Sequence, residues 1–171
     1  LLYVQTASSM IPAKVLGPDA GDHVLDMCAA PGSKTTHIAA LMGNRGSIDA
    51  WDVYPHKVKL IKDNAKRLGI SIIHTEVRDS VKPLPFLYET YDKVLLDAPC
   101  SGLGVLGHKV ELRWRRKESD LSVFPPLQKQ LIEQAAKYTK TGGVLVYSTC
   151  TLNPDENDCL LYTSPSPRDA H

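Results

Sequence analysis

No stretch of the chain holds 18 consecutive apolar residues, so no segment reads as a membrane-spanning helix. The opening LLYVQTASSM lacks both the basic start and the long apolar centre of a secretory signal. It also lacks an initiating Met, and the expectation is that the chain starts within a longer protein. Neither sign of charge dominates: Lys and Arg total 20, Asp and Glu 19, for a net charge of +1. That excludes a wholly basic nucleic-acid binder and leaves room for a local basic patch. Cysteine is scarce, at Cys28, Cys100, Cys150 and Cys159, and no CxxC or His-x-x-x-His spacing occurs. A structural zinc site is therefore not expected, nor any other metal site. The cysteines are widely spaced, and three sit in or at the ends of apolar strands. Reduced thiols and a cytoplasmic location are expected.

A length of 171 residues suits one well-buried domain better than two, and 43% hydrophobic with 23% charged residues is ordinary globular composition. Apolar runs and helical periodicity alternate along the chain. A helix is predicted over 6–17, with Pro12 moving its start to near Ile11 or kinking it. Strands are predicted over 24–29, 47–53, 71–77, 91–98 and 144–147, with helices over 34–42, 55–68 and 126–138 between them. Gly69 is expected to cap the middle helix, and Thr141-Gly-Gly143 to form a turn. Residues 101–124 form a long, poorly periodic segment, and loops of that length are usually functional. From residue 159 onward, TSPSPRDAH included, an irregular tail is expected. It stands where a doubly wound domain would need at least one more helix and strand, so the C-terminal strands are expected to be truncated.

Strand–helix alternation predicts an α/β fold: a mostly parallel, doubly wound, Rossmann-like sheet with helices on both faces. Right-handed crossovers put all strand carboxyl ends on one edge, where such sheets bind ligands. Asp26, Cys28, Asp52, Asp79, Asp97, Cys100 and Cys150 all come near that edge. Seven polar or thiol side chains there are hard to explain as core packing.

The run DMCAAPGSKTT leaves a strand and opens a helix, with Ala29, Ala30 and Gly32 small enough for a close backbone approach to a ligand. The turn has neither the dinucleotide GxGxxG nor the triphosphate GxxxxGK[ST] pattern. Asp52, 20 residues after Gly32, can accept ribose hydroxyls, or else cap the helix at Pro55. Asp79 can reach an adenine amino group, or else serve a simple turn. Together these point to an adenosine cofactor without triphosphate, and S-adenosylmethionine fits better than NAD.

DAPCSGLG sets Asp97 three residues before Cys100, and YSTC brings Cys150 to the same edge. An acid beside a thiol can hydrogen-bond a base edge while the thiol attacks or moves a proton; the two thiols could instead be a redox pair. Cys28 and Cys159 read mainly as buried structural cysteines. RWRRK places Arg113, Arg115, Arg116 and Lys117 around Trp114; it reads equally as a phosphate-holding, base-stacking segment or a solvated charge run.

The motifs VQTASSMIP, VLDMCAAPGSKTTHIA, AWD, VLLDAPCSGLGVL, LRWRRK–LQKQLI and GGVLVYSTCTLNPDEND resemble, in order over residues 4–158, the RsmB/Sun (NOP2/Sun) family of RNA cytosine-5 methyltransferases. The resemblance implies a class I S-adenosylmethionine-dependent methyltransferase fold. It implies RNA, with 16S ribosomal RNA foremost, as substrate and partner; a monomer with no membrane or metal is expected. It divides the chain into a lead-in over 1–20, a catalytic domain over 21–158 and the atypical tail over 159–171. Cofactor residues would be Cys28, Ala29, Ala30, Pro31, Gly32, Ser33, Lys34, Asp52, Asp79 and Asp97. Cys150 would be the nucleophile and Cys100 the thiol assisting release, with Asp97 and Lys34 at the catalytic centre. Arg113, Trp114, Arg115 and Arg116 would contact RNA. Ser33 stands where a second Gly is usual. A transfer RNA or DNA substrate, with Cys100 as nucleophile in the DNA case, and a non-catalytic RNA-binding module stay open as alternatives.

Overall fold

The structure is a computed structural model that describes residues 5–105 and 122–163. Five strands form one sheet: β1 (His23–Asp26), β2 (Ser47–Asp52), β3 (Ile73–Val77), β4 (Tyr91–Asp97) and β5 (Thr139–Ser148). Their spatial order is β3-β2-β1-β4-β5, and every pairing is parallel. The order reverses direction at β1, which pairs with β2 on one side and β4 on the other. A crevice opens at such a reversal, above the strands' carboxyl ends.

Helices α1 (Ala7–Leu16), α2 (Ser33–Leu41) and α3 (Pro55–Leu68) cover one face of the sheet, and α4 (Phe124–Tyr138) covers the other. Alternation along the strands builds both layers. Val24, Ile48 and Leu95 pack with Ala13, Leu16, Ile38 and Met42 on the first face. Leu25, Trp51, Val94 and Leu96 pack with Leu131, Ala135 and Tyr138 on the second. There the fully buried Tyr138 meets Trp51 edge-on, with ring centroids 5.6 Å apart at 89°.

The structure departs from the sequence reading in several places, among them Cys159, which read as buried and is exposed. Helix α1 begins at Ala7 and carries Pro12 inside it, rather than starting near Ile11. Strand β1 ends at Asp26, so Cys28 lies in the turn beyond it. Thr141-Gly-Gly143 is not a separate turn but a bulge within β5: Tyr91 pairs with Thr139, and the ladder resumes with Lys93 opposite Val144. Gly142 sits there at φ +81, and a Cβ on Gly143 would lie 2.8 Å from the Asp92 carbonyl oxygen. Residues 158–163 form a short helix, α5 (Asp158–Thr163), where the sequence reading put an irregular tail from 159. No helix among the described residues is long and apolar enough to cross a membrane.

Candidate active site

A cavity of about 430 Å³ opens above the carboxyl ends of β1, β2 and β4, within the usual range for small-molecule sites. Cys28, Asp52, Asp79, Asp97, Cys100 and Cys150 all line it, six of the seven edge residues expected from sequence. The seventh, Asp26, lies underneath at 1% exposure. Leu127 and Leu131 of α4, with Val53 and Val81, supply apolar wall.

Asp52 does not cap α3, whose N-cap is Tyr54 with no side-chain cap bond; it accepts the Tyr54 backbone N–H at 3.1 Å in the turn before the helix and faces the cavity. Asp79 likewise accepts from the Val81 N–H at 3.2 Å while lining the cavity. Among the expected cofactor residues Ala30 also lines this space. Ala29, Pro31, Ser33 and Lys34 instead border a small adjoining cavity of about 30 Å³, shared with Asp26, Cys28, Ala30 and Asp97. Gly32 lines neither. At φ +99, with a would-be Cβ 3.1 Å from the Ile61 Cα, it is small because α3 packs against the turn. Arg113, Trp114, Arg115 and Arg116 lie outside the described residues.

Lys34 projects from the first turn of α2 to Asp97 at the end of β4, with Nζ 2.6 Å from Oδ2. Ser148 Oγ donates to the other Asp97 oxygen at 2.7 Å. Beneath this pair Asp26 accepts the Thr35 hydroxyl at 2.7 Å. Burial, only partly offset by that hydrogen bond, raises the Asp26 carboxyl to about 7. The unfolded carboxyl ionises near its ordinary 3.8, so folding takes up a proton between that pH and about 7. Stability therefore falls as pH rises through this window. Asp26→Asn should remove the slope, read as urea midpoints at about pH 4.5 and about pH 7; a variant that keeps the wild-type difference contradicts this.

The thiols divide by environment. Burial and three nearby carboxylates push the Cys28 thiol far up, which makes it a wall and not a nucleophile. Cys100 and Cys150 stand Sγ to Sγ at 3.1 Å. The Cys150 backbone N–H donates to Cys100 Sγ at 3.3 Å. Cys150 is exposed and Cys100 half-buried. The hydrogen bond with Cys150, then burial, raise the Cys100 thiol strongly, so it holds its proton beside its neighbour.

Sequence reasoning missed Tyr54, Lys57 and Arg78, which complete the cavity wall. Tyr54 and Lys57 flank the start of α3, with Lys57 Nζ 4.7 Å from the Tyr54 ring centre. Arg78 follows β3 and stacks 5.0 Å over Trp51. Their signal was position: a residue just past a parallel strand, or in the first turn of the next helix, faces the same crevice.

The family model "16S rRNA methyltransferase RsmB/F" matches residues 13–164. A "Probable ribosomal RNA small subunit methyltransferase B" from Bacillus subtilis (strain 168) is 45% identical over 160 residues, 93% of this chain and 36% of that protein. A mouse (Mus musculus) "tRNA (cytosine(72)-C(5))-methyltransferase NSUN6" is 42% identical over 92% of this chain and 35% of its own length. A solved structure of "NSun6 from Pyrococcus horikoshii with SFG" superposes with a TM-score of 0.86 at 42% identity, covering 94% of this chain and 41% of that one. The chain thus spans about a third of the length of these curated relatives.

Proposed function

The chain belongs to the 16S rRNA methyltransferase RsmB/F family, and from that premise we propose that it forms the catalytic part of an S-adenosylmethionine-dependent RNA cytosine-5 methyltransferase. The observation that carries the reading is the pair of thiols 3.1 Å apart on the rim of a nucleoside-sized cavity, beside the Lys34–Asp97 ion pair. One catalytic thiol would suffice for attack; two in contact suit a reaction that must both form and release a covalent bond.

The cavity fits the cofactor by its chemistry. It offers the acceptors Asp52 and Asp79, an apolar wall and no triphosphate cradle. Asp52 would take the ribose, Asp79 the adenine side, and the turn from Cys28 to Lys34 the remainder. S-adenosylmethionine, when bound, supplies an electrophilic methyl group.

Cytosine carbon 5 is a weak nucleophile, and addition of the Cys150 sulfur to carbon 6 makes it enamine-like. Cys150 is the better placed of the two thiols for attack because it is exposed at the rim. Once its sulfur is bonded to carbon, its hydrogen bond no longer holds the Cys100 proton in place. Cys100, once it has passed that proton to solvent, can take the carbon 5 proton as a thiolate while the Cys150–carbon 6 bond breaks. Asp97, held by Lys34 and Ser148, lines the same cavity as the thiols and would hydrogen-bond the base edge. The target base must be unstacked to reach this rim.

We place the protein in the cytoplasm, acting as a monomer on small-subunit ribosomal RNA. The family model supports the ribosomal choice; the 42% identity to a transfer RNA enzyme supports the second reading. Methylation of 16S ribosomal RNA and of transfer RNA transcripts, mapped by bisulfite sequencing, separates them. We expect 5-methylcytosine in the ribosomal transcript; a product confined to transfer RNA overturns the ribosomal assignment.

A further inference from the structure

The loops that carry the two thiols, residues 98–104 after β4 and 149–157 after β5, are joined by a buried carboxylate that the chemistry above leaves unused. Glu156 is 0% exposed. Its Oε2 accepts the backbone N–H of Ser101 at 2.9 Å, the residue after Cys100, and the Gln128 side-chain amide at 3.0 Å. Its Oε1 accepts Asn153 Nδ2 at 3.1 Å, from the loop of Cys150. The same Gln128 amide donates to the Pro99 carbonyl oxygen at 2.9 Å, just before Cys100. Three donors outweigh the effect of burial and hold the Glu156 carboxyl below its ordinary value, so it is ionised.

Two further links tighten the join. The Ser101 and Thr151 hydroxyls, each one residue past a thiol, lie 2.7 Å apart. Gly104 N–H donates to the Cys150 carbonyl oxygen at 3.0 Å, and a Cβ on Gly104 would lie 2.9 Å from that oxygen. Only glycine lets the loops come so close.

We propose that Glu156 is a positioning residue that sets the separation of Cys100 and Cys150 by tying the two thiol loops to each other and to α4. Its use in catalysis rests on the two-thiol reading of the site, but the thiol separation itself does not. The geometry also fixes which substitution is informative. Glutamine keeps the size of Glu156 but offers one acceptor oxygen to three donors, so at least one bond is lost in either amide orientation. A displacement of about 1 Å at a reacting pair can slow a reaction about 100-fold.

An aromatic disulfide reagent reads that separation without RNA. The Cys150 thiolate attacks the reagent, releasing one aryl thiolate and leaving a mixed disulfide. Cys100 then attacks the Cys150 sulfur, releasing the second aryl thiolate and closing a protein disulfide; two thiols are oxidised and one reagent disulfide is reduced. Cys159→Ser serves as the background throughout. In the parent the second release is expected to be first-order and independent of reagent concentration. In Glu156→Gln it should slow about 100-fold relative to the first, with a cooperative thermal melt retained. Gln128→Met keeps the volume of that helix position and should slow closure in the same direction by a smaller factor. If Glu156→Gln gives no cooperative melt, Gln128→Met decides alone. Closure at the parent rate in the folded variants overturns the assignment, whether or not the protein methylates RNA.

Discussion

Replacing Cys150 by alanine lowers methyl transfer to RNA by about 10⁴-fold or more, the scale expected when an attacking side chain is deleted. Replacing Cys100 instead leaves a protein–RNA adduct that survives a denaturing gel. The difference follows from the two environments: the exposed Cys150 reaches the base, while the half-buried Cys100 holds its proton until its neighbour is consumed. Without Cys100, attack and methyl transfer proceed and release stalls. Cofactor binding should be intact in both variants, because Asp52 and Asp79, the acceptors proposed for ribose and adenine, stand at the end of β2 and in the turn after β3. Calorimetric titration with S-adenosylmethionine checks that control. An adduct that persists in the Cys100→Ala, Cys150→Ala double variant would mean that another residue attacks.

The second large effect concerns Lys34. Lys34→Met keeps the length of the side chain and removes its ammonium group, leaving Asp97 with the Ser148 hydroxyl as its side-chain partner among the described residues. Methyl transfer should fall by about 10²–10³-fold, the range for loss of one preorganised charged donor at a reacting centre. Lys34→Arg should not rescue it. The planar guanidinium places its donors differently from a compact ammonium. The pair is part-buried, so some loss of stability accompanies the change. The kinetic signature is a fall in kcat larger than the rise in KM for the cofactor, whose proposed turn ends at this residue. A Lys34→Met protein with unaltered kcat contradicts the placement of this pair at the catalytic centre.

Much of this site was legible before any coordinates, for a geometric reason. Parallel strands end on one edge, so Asp52, Asp79, Asp97, Cys100 and Cys150, far apart in sequence, converge because each closes or follows a strand. What the sequence hid are bonds that no local pattern encodes. Glu156 meets Ser101 across 55 residues and Gln128 across 28. In the sequence it is one more acid in a polar loop. Gly32 read as room for a ligand, yet the atoms that demand a glycine belong to Ile61 of α3. The glycine pair in β5 read as a turn because its local chemistry is that of a turn; that the ladder resumes beyond it depends on β4 alongside. Asp26 read as another edge group; it does close β1, but its side chain is buried against Thr35 of α2, and burial turned it into a carboxyl that titrates near neutrality.

The central claim is that Cys150 attacks the base and Cys100 does not. RNA carrying fluorine at carbon 5 of cytosine tests it most directly, because fluorine cannot leave as a proton and the covalent adduct is held. The wild-type protein, incubated with this RNA and S-adenosylmethionine, is digested and its cross-linked peptide sequenced by mass spectrometry. The nucleotide is expected on Cys150, in the peptide containing YSTC, and only when the cofactor is present. A nucleotide on Cys100, in the peptide containing DAPC, would contradict the account and assign attack to the half-buried thiol.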